Sequence, residues 1–128
     1  MKNIFLLSFC LTFLISCSKD YTNPENLNGT EWRSYDIDEN YEYFLLKFIS
    51  TSQAELWVKW VNPLDDYPNP EYIYSGEYSI DGNSIEIIPS ESMGYSGTFF
   101  KGIIESKEIE LKSYNDGVHN NTLKFVKD

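Results

Sequence analysis

The stretch Ala54-Glu55-Leu56-Trp57-Val58-Lys59-Trp60 alternates between two sets of side chains with a period of two residues. Ala54, Leu56, Val58 and Trp60 share one face, whereas Glu55, Trp57 and Lys59 share the other. Strict alternation over this length is typical of a half-buried β-strand, because successive side chains of a strand point to opposite faces of its sheet. We assign the face that contains Leu56 to the core.

From Gly29 onward the chain is a succession of short alternating segments separated by turn signals. Two of these signals are Asp81-Gly82-Asn83 and Asn115-Asp116-Gly117, and Asp-Gly between alternating segments predicts a β-hairpin. The pattern predicts eight strands, over residues 30–37, 41–49, 53–61, 72–80, 84–89, 98–104, 109–114 and 122–126.

The same parity gives each strand one apolar face. About eight antiparallel strands joined mostly by short turns favour an all-β, up-and-down barrel, because closing the sheet leaves no exposed edge. A β-sandwich is the alternative fold. The bulky rings among the inward residues favour a filled interior. Besides the face of Leu56, the predicted inward residues are Trp32, Phe44, Leu46, Phe48, Tyr74, Gly76, Tyr78, Ile80, Ile85, Ile87, Phe100, Gly102, Ile104, Ile109, Leu111, Leu123 and Phe125.

The N-terminus has the pattern of an export signal. Lys2 precedes an apolar stretch over residues 4–15, which is shorter than the ~20 residues that a membrane-spanning helix needs. The stretch ends in Leu14-Ile15-Ser16-Cys17. We therefore predict a signal peptide over residues 1–16, a lipidated cysteine and polar tether over 17–28, and one domain over 29–128.

Leu14, Ser16 and Cys17 resemble the processing site of bacterial lipoproteins, which place apolar and small residues before a lipidated cysteine. The resemblance implies cleavage before Cys17, a diacylglyceryl group on its thiol and a fatty acyl group, such as palmitate, on its amino group. Several acyl chains give a stable anchor. Ser18 implies sorting to the outer membrane, with the periplasmic and the surface face both open.

The chain is acidic and its cysteines lie near the start. It has 10 Lys and Arg against 20 Asp and Glu, for a formal net charge of -10. Such a surface repels nucleic acid and favours a cationic partner. Its two cysteines are Cys10 and Cys17, so the predicted domain has no disulfide.

A second resemblance covers most of the predicted domain. Leu27-x-Gly29-Thr30-x-Trp32, Gly76-x-Tyr78-x-Ile80 and Leu123-x-Phe125 resemble the small lipocalin-like lipoproteins of Gram-negative bacteria. The resemblance implies a meander barrel and no catalytic residue. The chain departs from larger lipocalins because it is shorter and has no helix after its last strand.

Motifs that carry chemistry are sparse. The single histidine, His119, lies in a polar turn, and the EF-hand-like run that starts at Asp36 has Tyr41 where the calcium loop needs glycine. No nucleophile signature or phosphate-binding loop is present. We therefore expect no enzymatic activity, no catalytic residue, no metal and no cofactor.

Residues 62–72 form the one connection clearly longer than a hairpin requires, and long loops on rigid barrels are where binding tends to occur. Its rings and acceptors suit a sugar or a cationic peptide. The predicted ligand-binding residues are Asp65, Asp66, Tyr67, Asn69 and Tyr72. A second candidate loop spans 90–97 and contains Met93 and Tyr95.

These observations favour a lipid-anchored binding or interaction module of the cell envelope, without catalytic activity, whose partner is a glycan, a small ligand or a cationic protein. The alternative is an inhibitor of a cationic enzyme such as lysozyme. Ser75-Gly76-x-Tyr78 loosely resembles the Ser-Gly-x-x-Tyr motif of small envelope inhibitors of lysozyme, one residue short.

Overall fold

A computed structural model describes residues 19–35, 39–63, 66, 68–90 and 98–128, with the side chain of Asn120 left out. The predictions about Cys17, Asp65, Tyr67, Met93 and Tyr95 lie outside these residues. The described elements are α1 (Pro24–Leu27), β1 (Glu31–Ser34), β2 (Tyr41–Phe48), β3 (Gln53–Trp60), β4 (Glu71–Asp81), β5 (Ser84–Pro89), β6 (Thr98–Glu105), β7 (Glu108–Asn115) and β8 (Val118–Lys127).

The eight strands form a closed antiparallel barrel in sequence order, which confirms the predicted fold class. Each strand pairs with its chain neighbours, and β1 also pairs with β8 through Trp32 opposite Lys127 and Arg33 opposite Val126. This last pairing joins the two ends of the sheet. The alternative of a β-sandwich is therefore wrong.

The predicted hairpin turns are also confirmed. The Asp116-Gly117 turn between β7 and β8 has φ angles of 50° and 80° at its two residues. A two-residue hairpin turn with two positive φ angles matches the twist of the flanking strands, and glycine adopts such a conformation without steric cost.

The core consists mainly of the predicted inner face, of which Phe44, Ile80 and Leu123 are only partly buried. Phe44 lies opposite Val58 and Leu46 opposite Leu56, so the period of two carries from β2 to β3 in register. The buried apolar residues of the strands are Trp32, Leu45, Leu46, Phe48, Ala54, Leu56, Val58, Tyr74, Tyr78, Ile85, Ile87, Phe100, Ile104, Ile109, Leu111 and Phe125. Leu45 is the exception to the parity, because it lies on the outer face between Arg33 and Trp57 of the neighbouring strands.

Two glycines on the inner face allow neighbouring strands to approach closely. A Cβ atom on Gly76 would lie 2.8 Å from the carbonyl carbon of Ile88, and one on Gly102 would lie 2.8 Å from that of Glu110. Both distances are shorter than van der Waals contact. Glycine is thus needed at both inward positions, because the backbone of the adjacent strand leaves no space for a Cβ atom.

Within the predicted tether of residues 17–28, the segment from Tyr21 to Leu27 packs on the barrel. Leu27 is fully buried, and the Tyr21 ring contacts the Trp32 ring edge-on, with centroids 5.2 Å apart. Asn23 caps α1 by accepting a hydrogen bond from the Glu25 amide. A polar segment without periodicity gave no local signal for this packing, which depends on two apolar side chains and on distant core residues.

The up-and-down topology gives the barrel two different ends. At one end, which we call the helix end, the segment with α1 packs beside Trp32, and Gly29 donates a backbone hydrogen bond to Phe48. At the other end, which we call the loop end, β1, β3 and β5 finish and β2, β4 and β6 begin. The strand ends that flank both candidate binding loops, 62–72 and 90–97, therefore share the loop end.

Candidate functional site

Asn69 holds the end of β3 rather than facing outward as a free binding group. Its Oδ1 accepts a hydrogen bond from the Trp60 amide at 3.0 Å, and its Nδ2 donates to the Trp60 carbonyl at 3.2 Å. The side chain thus takes the place of a neighbouring strand. We conclude that Asn69 positions Trp60, and that its predicted role as a ligand contact is not supported by this geometry.

Tyr72 lies on the outer face of the barrel. It pairs with Trp57 of β3, and the two rings meet edge-on with centroids 5.4 Å apart. Asp66 is exposed, and no ion pair or hydrogen bond is described for its side chain. The described members of the predicted site are therefore not brought together into one pocket.

Three half-buried rings form a row on the inner face at the loop end. Tyr41 lies opposite Trp60 in the register, with ring centroids 4.7 Å apart, and the Tyr41 and Phe44 centroids are 5.2 Å apart. The ring planes are tilted by 47° and 44° rather than stacked. Trp60 was predicted to lie in the core, but it is only half-buried because it is the last residue of β3.

A carboxylate stands at the edge of this row. The Trp60 indole Nε1 donates a hydrogen bond to Glu71 Oε2 at 2.9 Å, and both side chains are partly exposed. We name Tyr41, Phe44, Trp60 and Glu71 the ring-carboxylate site. Flat rings beside an acceptor suit the apolar face of a sugar or an organic cation.

A β-bulge decides which side of the barrel Glu71 faces. Leu56 pairs with Tyr74, but the next residue, Trp57, pairs with Tyr72, so Ile73 is an extra residue on β4. An extra residue reverses the parity of the strand beyond it. Strict alternation from Tyr74 would send Glu71 outward, whereas the structure pairs it with the inward Val58. The sequence contained no signal that places this bulge.

The outer face of β1 to β4 is covered by cations lying over rings. Arg33 lies over the Tyr43 ring at 4.7 Å and Lys47 over the Trp57 ring at 4.5 Å. Such contacts contribute about 0.5–1 kcal/mol at exposed sites. Arg33 also forms an ion pair with Asp128 at 2.7 Å. Arg33 and Lys47 thus have partners within the chain, and they cover the rings of this outer face.

Groups for chemistry are scarce in the described part of the chain. Within it, no three His, Cys, Asp or Glu side chains come together in a way that could hold a metal ion. His119 is exposed, and its Nε2 lies 3.0 Å from Thr122 Oγ1. Tyr78 of the inhibitor-like motif is buried, and its hydroxyl donates to the Ser50 carbonyl at 2.9 Å. The motif is thus part of the core of β4.

No protein-family model, no curated protein and no solved structure matches this chain. The structure itself is an eight-stranded meander barrel with the ring-carboxylate site at its loop end. None of the helices in the described residues is long and apolar enough to cross a membrane.

Proposed function

We propose that this protein is a lipid-anchored, non-catalytic binding module of the bacterial outer membrane that takes its ligand at the loop end of the barrel. The observation that carries the binding function is the ring-carboxylate site. Large aromatic side chains that remain partly exposed beside a polar group are the usual composition of a ligand site. The resemblance to small lipocalin-like lipoproteins agrees with this proposal.

The anchor is proposed from Cys17 and the apolar stretch before it. Replacing the thiol removes the only atom that can carry the diacylglyceryl group, so Cys17→Ser is expected to abolish lipid attachment. Growth with a radiolabelled fatty acid, followed by immunoprecipitation, measures this directly. Cys10→Ser is the matched control, because this cysteine lies inside the signal and its loss should leave labelling unchanged. Label retained by Cys17→Ser would rule out the anchor.

Binding at the loop end is tested with the full-length protein in detergent on glycan and peptide arrays. A ligand of the ring-carboxylate site should bind less tightly to Trp60→Leu than to Trp57→Leu. These variants remove the same group from the two faces of β3. Equal affinities for the two variants would place binding elsewhere on the molecule.

A second candidate function is inhibition of a cationic enzyme such as lysozyme, and the net charge of -10 favours it. Charge complementarity of this kind accelerates association and gives it a strong dependence on salt. A lysozyme activity assay with increasing amounts of the protein separates this function from binding of a small ligand.

A further inference from the structure

We propose that the group recognised at the ring-carboxylate site is an organic cation, an alkylammonium or a guanidinium, that lies against the rings of Tyr41 and Trp60 with Glu71 as its counter-ion. This inference rests on the proposed function, because it names the chemistry of the ligand that the loop end takes.

The first support is a contrast between two sets of rings. On the outer surface, rings are covered by cations of the chain itself: Arg33 lies 4.7 Å from the Tyr43 centroid, and Lys47 lies 4.5 Å from that of Trp57. Among the described residues, no lysine or arginine lies over Tyr41, Phe44 or Trp60. The faces of these three rings carry the negative potential that attracts a cation.

The second support is that the Glu71 carboxylate forms no ion pair among the described residues. Glu31, Glu42, Glu86 and Glu108 each form an ion pair with a lysine. Among the described residues, Glu71 has no such cationic partner, and its Oε2 accepts only the neutral indole Nε1 of Trp60 at 2.9 Å. A half-buried carboxylate without a cation gains more from an incoming ammonium or guanidinium group than a solvated, paired one does.

The third support is that hydrogen bonds within the chain fix the geometry of Trp60 and Glu71. Asn69 holds both backbone groups of Trp60, and Glu71 holds its indole, so the ring and the carboxylate are oriented before a ligand arrives. Preorganisation of this kind lowers the entropy lost on binding. The overall charge of -10 attracts cations at long range but does not determine where on the surface they bind. The specificity must therefore come from the site.

The test measures fluorescence anisotropy of a labelled ten-residue peptide of alternating Gly and Lys, mixed with the full-length protein in detergent at fixed ionic strength. The control peptide carries acetyl-lysine, which keeps the side-chain length and removes the charge. We expect the lysine peptide to bind and the acetylated peptide to bind at least about tenfold more weakly. Spermidine as competitor separates two sources of the same chemistry: displacement indicates a free amine, and its failure indicates a lysine presented by a polypeptide.

The matched variants are Glu71→Gln and Glu77→Gln. Both remove one charge from β4, but Glu77 is exposed and pairs with Gln53 and Ile88 away from the rings. Glutamine keeps an acceptor for the Trp60 indole, so Glu71→Gln should keep its melting temperature. We expect Glu71→Gln to weaken peptide binding about tenfold and Glu77→Gln less than twofold. Tyr41→Leu tests the ring contribution separately and should also weaken binding.

Four results would overturn the proposal. Equal weakening by Glu71→Gln and Glu77→Gln would show diffuse charge attraction, and equal binding of both peptides would show that charge is not recognised. Absence of binding by both the lysine peptide and spermidine would show that the site does not bind organic cations. A neutral array ligand that needs Trp60 but binds Glu71→Gln at full affinity would also exclude the cation, while leaving the proposed binding function intact.

Discussion

Tyr78 shows how a single side chain connects the core to the helix end. Its ring contacts Phe48 with centroids 5.0 Å apart, and its hydroxyl donates to the Ser50 carbonyl in the β2–β3 connection. Only 5% of the residue is exposed. Burial raises the pKa of the Tyr78 hydroxyl to about 12, because the charged phenolate would lose its hydration.

This shift predicts a loss of stability at alkaline pH. The folded state keeps its proton up to about pH 12, whereas the unfolded tyrosine releases it near pH 10, so the contribution of Tyr78 is complete below pH 10 and falls as the pH rises towards 12. Tyr78→Phe should flatten the fall of the unfolding free energy in this window. Urea unfolding of both proteins at several pH values measures it. Parallel curves for the two proteins would contradict the assignment.

At the scale of elements, the close approach of β4 and β5 depends on Gly76, and that of β6 and β7 on Gly102. The Cβ atom of any other residue at these positions would lie too close to a backbone carbonyl of the adjacent strand. Backbone cannot turn away as a flexible side chain can, so the strand pair itself would have to shift. These two positions join four of the eight strands in pairs.

Gly76→Ala is therefore expected to destabilise the barrel by about 1–3 kcal/mol or more, as overpacking of a core does. Ser79→Ala is the control, because Ser79 is exposed on the same strand and should change stability by less than about 0.5 kcal/mol. Urea midpoints with equal slopes give the comparison. A Gly76→Ala midpoint equal to that of Ser79→Ala would show that the strands separate at no cost.

At the scale of the whole molecule, the N-terminal segment and the ring-carboxylate site lie at opposite ends of the barrel. The described residues begin at Lys19, and the Oδ1 of the next residue, Asp20, accepts hydrogen bonds from Thr22. Three residue steps separate Asp20 from Cys17, which gives a reach of about 10 Å. If Cys17 carries lipid as proposed, we expect the helix end to lie close to the membrane and the loop end to face away from it.

This orientation predicts different distances to the membrane for two labelled positions. Lys107 lies in the β6–β7 turn at the helix end, and Val118 starts β8 at the loop end, about 20 Å further along the barrel. Each is replaced by cysteine in a Cys10→Ser background and labelled in vesicles that contain an acceptor lipid. Energy transfer should be stronger from position 107. Equal transfer from both positions would contradict the orientation.

The sequence by itself determined the barrel and most of its core, because the period of two in Leu56, Val58 and their counterparts is a local property of each strand. It also determined the Asp116-Gly117 turn, because aspartate and glycine tolerate the positive φ angles that the turn requires. Lipidation at Cys17 stays a prediction that depends on sequence alone.

Tertiary structure decided the candidate site. The bulge at Ile73 turns Glu71 to the inner face, and a bulge is set by pairing with β3 rather than by the residues around it. Tyr41 and Trp60 meet because the β2–β3 register shifts by one residue between Tyr41 and Tyr43, and Asn69 reaches Trp60 although nine positions separate them in the sequence. Tyr21 and Leu27 belong to no periodic sequence pattern, and they are buried against core residues that are distant in the sequence. Local patterns specify strands, whereas contacts between strands specify which side chains share a site.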